Sequence, residues 1–251
     1  LRGFCKAENM QVIQVPVGQN FEMNIAAMKK QASAQKGPVL VNICNPNNPT
    51  GNIVDFQVLF DWINNAPDTH LFLLDEAYFA YAQNNPRYKS GLDLIMQGKD
   101  NLVISRTFSK VYGMAGMRMG YGIASIKTAN EINPFAAGFN LNAAGIAAAT
   151  VALDDTGFYN KSIKFNQLSK ILLIDTLNKL DLEYVPSDTN FVLHRIGSPL
   201  ADYAKHMQDN GIRVGRKMTK DDSWNRLSLG TPDEMAIFTK TLMAFREKNW
   251  V

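Results

Sequence analysis

The first half of the chain alternates short apolar runs with segments that carry apolar residues at helical spacing. The segments FEMNIAAMKKQASA and DFQVLFDWINNA have this spacing and predict helices. This alternation favours an α/β fold in which helices sandwich a mostly parallel, mixed sheet. The apolar runs between the helices are typical of buried strands, and five are predicted: Gln11 to Val17, Pro38 to Cys44, His70 to Asp75, Asn101 to Ser105 and Met117 to Ala124.

The second half of the chain has a different pattern, which predicts a smaller C-terminal α+β domain. A helical stretch from about Gly145 to Leu180 is expected to break between Asp154 and Gly157. We therefore divide the chain into a large domain, residues 1–154, and a small domain, residues 155–251. The later elements are predicted in this order: a strand in EYVPSDTNFVLHRI, a helix in SPLADYAKHMQDNG, short strands in GIRVG and WNRLSLG, and a helix in TPDEMAIFTKTLMAFREKNW.

Polar residues follow three predicted strands where each strand ends. PVLVNIC leads into NPNNPTG, HLFLL leads into DEAY, and NLVIS leads into RTFSK. In an open parallel sheet ligands bind outside the carboxyl ends of the strands, so these three groups are expected to line one crevice. Taken singly, NPNNPTG could be a turn, Asp75 a helix cap and Lys110 a surface lysine. Their occurrence at three strand ends favours a shared site.

Composition and charge exclude several classes of function. The 251 residues are 46% hydrophobic and 20% charged with a net charge of +3, which is typical of a globular protein and too mild to indicate nucleic-acid binding. No apolar run approaches the roughly 18 residues of a membrane span, so no membrane partner is expected. Cys5 and Cys44 form no CxxC pair, which suits a reducing compartment, and we predict a cytoplasmic location.

Motifs for other chemistries do not occur in the sequence. The glycines of GMAGMRMGYG do not make G-x-G-x-x-G after a strand, and there is no P-loop, G-x-S-x-G or H-E-x-x-H. His70, His194 and His206 lack metal-ligand spacing, so no metal site is expected. Glu76 should point away from its neighbour Asp75, and we interpret it as structural.

The strand-end groups, with RTFSKVYGMAGMRMGY and NRLSLGTPDEM, resemble the fold-type I, pyridoxal 5'-phosphate (PLP) dependent aminotransferases of class I/II. The resemblance is strongest to the histidinol-phosphate aminotransferase branch and covers essentially the whole chain. It implies that residues 1–154 are part of a PLP-binding domain, that Lys110 forms a Schiff base with PLP, and that Asp75 pairs with the pyridine nitrogen. It further implies roles for Tyr78 and Asn48 at the phenolic oxygen of the ring, Thr107, Ser109 and Arg118 at the phosphate, and Arg226 at the substrate α-carboxylate.

The chemistry explains why these residue types are needed. A carboxylate beside the pyridine nitrogen keeps that nitrogen protonated, so the ring accepts electrons when the substrate Cα–H bond breaks. Lys110, once displaced by substrate, can carry the proton as a general base and then as an acid. The guanidinium forks of Arg118 and Arg226 match phosphate and carboxylate groups.

Family members begin well before this sequence, with an N-terminal arm, a Gly-rich phosphate loop and an aromatic residue that stacks on the ring. We therefore expect the N-terminal part of the family fold to be missing here, and we expect weak PLP retention by this chain alone. Histidinol-phosphate aminotransferases also have an arginine where this chain has Gly215, followed by Arg216. Arg216 either binds an acidic or polar substrate side chain or lies at a solvated rim. Asn190 resembles a position near the substrate carboxylate.

The resemblance predicts an aminotransferase that acts as a homodimer with active sites at the subunit interface. An L-amino acid, or a histidinol-phosphate-like amine, would give its amino group to PLP, and a 2-oxo acid such as 2-oxoglutarate would take it in a ping-pong cycle. Two alternatives stay open. The first is a PLP-dependent decarboxylase or lyase of the same fold, and the second is a non-catalytic binding module.

Overall fold

The first half of the chain forms a four-stranded mixed sheet. The structure, a computed structural model, describes residues 2–136, 141–215, 217–218 and 221–251. Along the sheet the strand order is β1-β2-β3-β4; β1, β2 and β3 run parallel, and β4 is antiparallel to β3. The predicted α/β fold with a mostly parallel sheet is confirmed. The strands are β1 (Val39–Cys44), β2 (His70–Asp75), β3 (Leu102–Thr107) and β4 (Gly120–Ala124).

Helices pack against this sheet, and polar side chains cap the first turn of two of them. Asn24 accepts a hydrogen bond from Ala27 N at the start of α2, and Asp55 accepts one from Gln57 N at the start of α3. Apolar side chains from both helices and from β1 to β3 form one buried core. The helices of this half are α1 (Arg2–Ala7), α2 (Ile25–Ser33), α3 (Phe56–Asn65), α4 (Phe79–Ala82), α5 (Leu92–Met96), α6 (Ile126–Ile132) and α7 (Ala143–Asp154), with 3-10 turns at Ala115–Met117 and Asn133–Phe135.

The second half of the chain forms a three-stranded antiparallel sheet with a core of its own. The strands are β5 (Tyr184–Val185), β6 (Phe191–Arg195) and β7 (Trp224–Ser228), in the order β5-β6-β7. Three helices contribute to its core: α8 (Thr156–Lys179), α9 (Leu200–Asp209) and α10 (Pro232–Glu247). Fully buried side chains such as Leu173, Tyr203 and Phe245 fill it. The domain boundary after residue 154 stays a prediction.

The helix ends in this half match their sequence signals. The predicted break in the long helix lies at Asp155, which ends α7 and accepts a hydrogen bond of 2.8 Å from Phe158 N to begin α8. At the start of α10, Thr231 and Glu234 form a reciprocal capping box and Pro232 occupies the first turn. Within the described part of the chain, no helix combines the length and apolar character that a membrane span requires.

Two predicted strands are wrong. Residues 11–17 form no strand, because a strand needs a neighbouring ladder and no described strand pairs with this exposed segment. GIRVG, residues 211–215, also forms no strand, and Ile212 N instead bonds back to the Met207 carbonyl after α9. The predicted strand from Met117 is shorter than expected, since the 3-10 turn includes Met117 and β4 begins only at Gly120.

Candidate active site

The carboxyl ends of the three parallel strands lie side by side, as expected. Asp75, the last residue of β2, is in register with Cys44 on β1 and with Ser105 on β3. The Asp75 carboxylate is half-buried, and its Oδ1 accepts a hydrogen bond of 3.1 Å from Ala77 N. This bond fixes the carboxylate at the edge of the sheet where the three polar loops begin.

The NPNNPTG loop after β1 is bonded largely to itself. Buried Asn45 accepts a hydrogen bond of 2.9 Å from Val54 N, and Asn47 donates to Thr50 Oγ1 over 2.7 Å. Gly51 has a φ of +88°, and a Cβ there would lie 2.5 Å from Ser187 Oγ, so only glycine fits. The loop therefore closes against the second half of the chain and leaves Asn48 exposed at the sheet edge.

Tyr78 lies at the centre of a group of side chains that the fold brings together from the polar loops at the strand ends. Asn48 Nδ2 donates to Tyr78 Oη over 3.2 Å, which unites the loops after β1 and β2. The Tyr78 ring is only 4% exposed and packs edge-to-face on Phe191, with 5.3 Å between centroids. Burial raises the pKa of Tyr78 above its usual value, although the charge of Arg226 opposes this shift. At neutral pH the phenol therefore keeps its proton and can donate it to a ligand.

Lys110 reaches the same group from the loop after β3. Its Nζ lies 5.2 Å from the centroid of the Tyr78 ring. Burial, and then the charge of Asp75, raise the pKa of Cys44 to about 12, while Lys110 acts in the opposite direction. Asp75 and Lys110 are thus both within electrostatic range of Cys44. Because the Cys44 thiol stays protonated and donates to Pro46 O over 3.3 Å, it does not compete as a nucleophile.

The second sheet contributes Arg226, in the middle of β7. Its guanidinium carbon lies 4.4 Å from the centroid of the Phe191 ring, and its charge acts on Tyr78. The Phe191 ring therefore packs against both Tyr78 and the Arg226 guanidinium. Phe191 was not predicted to take part in the site. The only signal in the sequence was its position next to Asn190.

The residues predicted to hold a phosphate lie between the last residue of β3 and the start of β4. Thr107 Oγ1 donates to Met119 O over 3.2 Å and accepts from Ser109 N over 3.0 Å. Arg118 has a φ of +55°, is exposed, and its Nη1 donates to Ala115 O over 2.9 Å. Among the described contacts, none joins these three side chains to Asp75 or Tyr78.

A cavity of about 510 Å³ adjoins the group at Lys110. Asn190 also lines it, together with Lys161 from α8 and Glu234 from α10. Of the predicted site residues that the structure describes, only Lys110 and Asn190 line this cavity, so the candidate site is the group around Tyr78 and not the cavity itself. Arg216, predicted to recognise substrate, lies outside the described residues.

Glu76 is a buried member of an ion pair that the sequence did not reveal. It is 1% exposed and its Oε2 lies 2.9 Å from Arg106 Nη2. Despite the burial, the Glu76 carboxylate keeps the pKa of Arg106 above its usual value. The only sequence signal was an arginine at the end of the strand next to DEAY. The structural interpretation of Glu76 remains consistent with these contacts.

Comparison with known proteins matches the chain to a family model and to curated relatives. The family model for aminotransferase class I and II matches residues 2–242. Histidinol-phosphate aminotransferase 2 of Legionella pneumophila is 34% identical over 232 residues, which cover 92% of this chain and 62% of that protein. The chain therefore spans less than two thirds of the length of this relative.

Two solved structures are also similar. A crystal structure from Erwinia carotovora atroseptica, provisionally named a histidinol-phosphate aminotransferase, matches with a TM-score of 0.95 and 39% identity over 100% of this chain and 72% of that one. Histidinol-phosphate aminotransferase from Sinorhizobium meliloti, solved in complex with pyridoxal-5'-phosphate, matches with a TM-score of 0.86 and 25% identity. The matched regions cover 99% of this chain and 68% of that chain.

Proposed function

This chain belongs to the class I and II aminotransferase family, and we propose that it transfers amino groups with PLP as its cofactor. The observation that supports the proposal is the group around Tyr78. A lysine ammonium lies 5.2 Å from its ring, an asparagine amide donates to its hydroxyl, and an aspartate stands at the adjacent strand end. Charged and polar residues from three strand ends have little reason to meet unless a ligand needs them.

The donor set fits the chemistry of PLP. Asp75 would hold the protonated pyridine nitrogen, and the Tyr78 and Asn48 pair would bind the phenolic oxygen. Lys110 would be the amine that bonds the cofactor, with Thr107, Ser109 and Arg118 near the phosphate. When bound there, PLP supplies an aldehyde carbon and a ring that accepts electrons. The complex of the Sinorhizobium meliloti relative with PLP supports this assignment.

The chain's own residues would perform the remaining work. Asp75 keeps a proton on the pyridine nitrogen through the opposite charge of its carboxylate. Arg226 binds the α-carboxylate of the substrate with its planar fork and holds the Cα–H bond in place. Lys110 Nζ takes the proton from Cα and returns it as an acid. Tyr78 stays protonated, because burial raises its pKa, and so donates a hydrogen bond.

We assign the donor to L-amino acids or histidinol-phosphate-like amines and the acceptor to 2-oxo acids such as 2-oxoglutarate, in a ping-pong cycle. The names of the Legionella pneumophila and Sinorhizobium meliloti relatives support the donor class. A single site with one α-carboxylate anchor, Arg226, suits two substrates that bind in turn.

The proposal includes a homodimer. Helix α7 carries no charged residue before Asp154, and Ile146, Val151 and Leu153 are 46%, 71% and 55% exposed. Exposed apolar side chains on one helix favour association because their burial removes them from water. Light scattering of the protein at micromolar concentration should give twice the chain mass, and Val151→Asp should shift it toward the monomer. A monomeric wild type would contradict this part of the proposal.

The activity test combines spectroscopy with single substrates. The chain titrated with PLP should gain the visible absorbance of a lysine-bound cofactor. Amino donors, including L-histidinol phosphate and L-glutamate, should then convert this absorbance to that of the pyridoxamine form without any 2-oxo acid present. A decarboxylase would instead release CO₂ and keep the lysine-bound absorbance, and a non-catalytic module would gain no such absorbance. Either result would overturn the proposal.

A second experiment tests the role of Asp75. Asp75→Ala should fold normally, since the side chain is half-buried and the variant loses the hydrogen bond from Ala77 N, yet it should lose about 10²-fold or more in the rate of Cα deprotonation. Deuterium exchange at the substrate Cα measures this rate directly. Wild-type exchange in this variant would contradict the assignment.

A further inference from the structure

A buried ion pair flanks the candidate site and links two of its strands. We propose that Glu76 and Arg106 form a positioning pair, which fixes the ends of β2 and β3 so that Asp75, Tyr78 and Lys110 meet the same ligand. The pair touches no ligand itself and acts through the segments it joins. This inference rests on the proposed function, since the ligand concerned is the cofactor.

Both oxygens of the Glu76 carboxylate are engaged. Oε2 accepts from Arg106 Nε over 3.1 Å, from Arg106 Nη2 over 2.9 Å and from Ser90 Oγ over 2.8 Å. Oε1 accepts from Gly91 N over 2.8 Å and from Ser90 Oγ over 3.0 Å. A carboxylate that is 1% exposed needs such partners, because a buried charge without them is strongly destabilising. The side chain of Glu76 is therefore held in one orientation.

Arg106 holds the segment that carries Asp75 and Tyr78 from two points. Its side chain binds Glu76, the residue after Asp75, and its guanidinium carbon lies 3.9 Å from the centroid of the Phe79 ring, the residue after Tyr78. The planar guanidinium can make both contacts at once, which an ammonium cannot.

The contacts of Arg106 with Glu76 and Phe79 matter for function because Arg106 lies close to Lys110 along the chain. Arg106 lies on β3, four residues before Lys110. The Glu76 backbone N–H also donates to Ser105 O over 2.9 Å, on the same strand. A shift of Arg106 would therefore displace the aspartate and tyrosine relative to the lysine. For the proposed reaction these three must keep a fixed geometry, because small misplacements of reacting groups cost large factors in rate.

The test uses Glu76→Gln, which keeps the shape of the side chain and removes its charge. Equilibrium titration of the chain with PLP should give a dissociation constant about 10-fold higher or more than that of the wild type. The pH midpoint of the bound-cofactor absorbance change should fall by on the order of 0.5 unit, because Arg106 becomes an uncompensated cation nearby. The charged and titratable groups around Lys110 are unchanged in this variant: Cys44 on β1, Asp75 on β2, Tyr78 before α4, Tyr81 on α4, Lys161 on α8, Arg226 on β7 and Glu234 on α10.

Two further variants separate positioning from stability. Phe245→Leu destabilises the core of the second sheet without any change in charge, and it should lower the melting temperature while leaving the PLP affinity and the midpoint as in the wild type. Arg106→Lys keeps the charge but loses the fork and the contact with Phe79; it should weaken PLP binding while keeping the midpoint. If Glu76→Gln does not fold, Arg106→Lys tests the positioning role by itself.

The outcomes distinguish this inference from the proposed function. Wild-type PLP affinity and a wild-type midpoint in Glu76→Gln, or wild-type PLP affinity in Arg106→Lys, would overturn the positioning role even if the melting temperature falls. A wild-type chain that never gains lysine-bound absorbance would refute the proposed function and the inference with it.

Discussion

The two sheets each bury an ionisable side chain almost completely, and they do so in opposite ways. Glu76, directly after β2, is 1% exposed and is paired with the Arg106 guanidinium. His194, in β6, is fully buried, and burial lowers its pKa to about 4. Its Nδ1 donates to Arg195 O over 2.9 Å and its Nε2 accepts from Asn225 Nδ2 over 3.2 Å. One sheet thus buries a charge with its counter-charge, and the other buries a neutral ring.

The difference follows from strand direction. Parallel strands present their carboxyl ends at one edge, so loops that are distant in sequence bring acids, amides and bases to the same place. Buried charge there finds a partner nearby, as Glu76 finds Arg106. In the antiparallel sheet, β6 is buried along four of its five residues and mainly contributes packing. We therefore expect changes at the first sheet edge to affect chemistry, and changes in the second sheet to affect stability, with Arg226 as the exception.

The largest expected effect comes from Lys110→Ala, which tests whether the carboxyl edge of the first sheet takes part in the reaction. Loss of the amine that bonds the cofactor and moves the proton should lower turnover by about 10³-fold or more, with little change in melting temperature. Steady-state transamination assays measure the loss. Lys161→Ala, which removes another lysine from the wall of the same cavity, is the matched control and should retain near wild-type turnover. Comparable turnover in both variants would show that Lys110 neither bonds the cofactor nor moves the proton.

Arg226→Lys tests whether Arg226, although it lies in the second sheet, takes part in the reaction. Replacing the fork by a single ammonium should lower kcat/KM by about 10- to 100-fold, mainly through a higher KM, because the α-carboxylate is bound before and during the reaction. Arg195→Lys, on the neighbouring strand, alters an arginine that pairs with Asp221 and should leave kcat/KM unchanged. If the two variants behave alike, Arg226 does not anchor the substrate.

The pH dependence of stability tests the buried histidine. His194 has a pKa of about 4 in the folded chain and about 6.5 when unfolded, so the unfolded state binds more protons between these values. Its contribution is complete above pH 6.5 and is lost as the pH falls to about 4, at most about 3 kcal/mol in the free energy of unfolding. Urea unfolding at pH 7, 5.5 and 4 measures this loss.

The control for this measurement is a variant in which position 194 cannot take up a proton. His194→Gln should reduce the loss of stability between pH 7 and 4. Identical slopes for wild type and His194→Gln would show that His194 does not titrate as proposed.

The smallest expected effect concerns an exposed ion pair in the second half. Lys205 and Asp209 lie one turn apart on α9 with exposed side chains. Asp209→Asn should cost less than about 0.5 kcal/mol, since water screens the pair and ordering the side chains offsets the attraction. Chemical denaturation measures this value, and a cost above about 1.5 kcal/mol would contradict the contrast between exposed and buried pairs.

Much of the fold follows from local signals in the sequence. The break at Asp155 and the capping box at Thr231 and Glu234 depend on residues within one helical turn, and the break and the final helix occur where they were expected. The strands β1, β2 and β3 follow from apolar runs with polar ends. The segments 11–17 and 211–215 have the composition of strands and form none, because a strand also requires a neighbour, which its own residues do not specify.

The sequence by itself determined which residues stand at the strand ends, and therefore the candidates Asn48, Asp75, Tyr78 and Lys110. Only the tertiary structure decided their partners: Asn48 and Tyr78 are 30 residues apart, as are Glu76 and Arg106. The physical reason is the range of the forces. Periodicity and capping act over a few neighbouring positions, whereas the pairing of buried charges and the choice of an aromatic neighbour depend on the path that the whole chain takes in space.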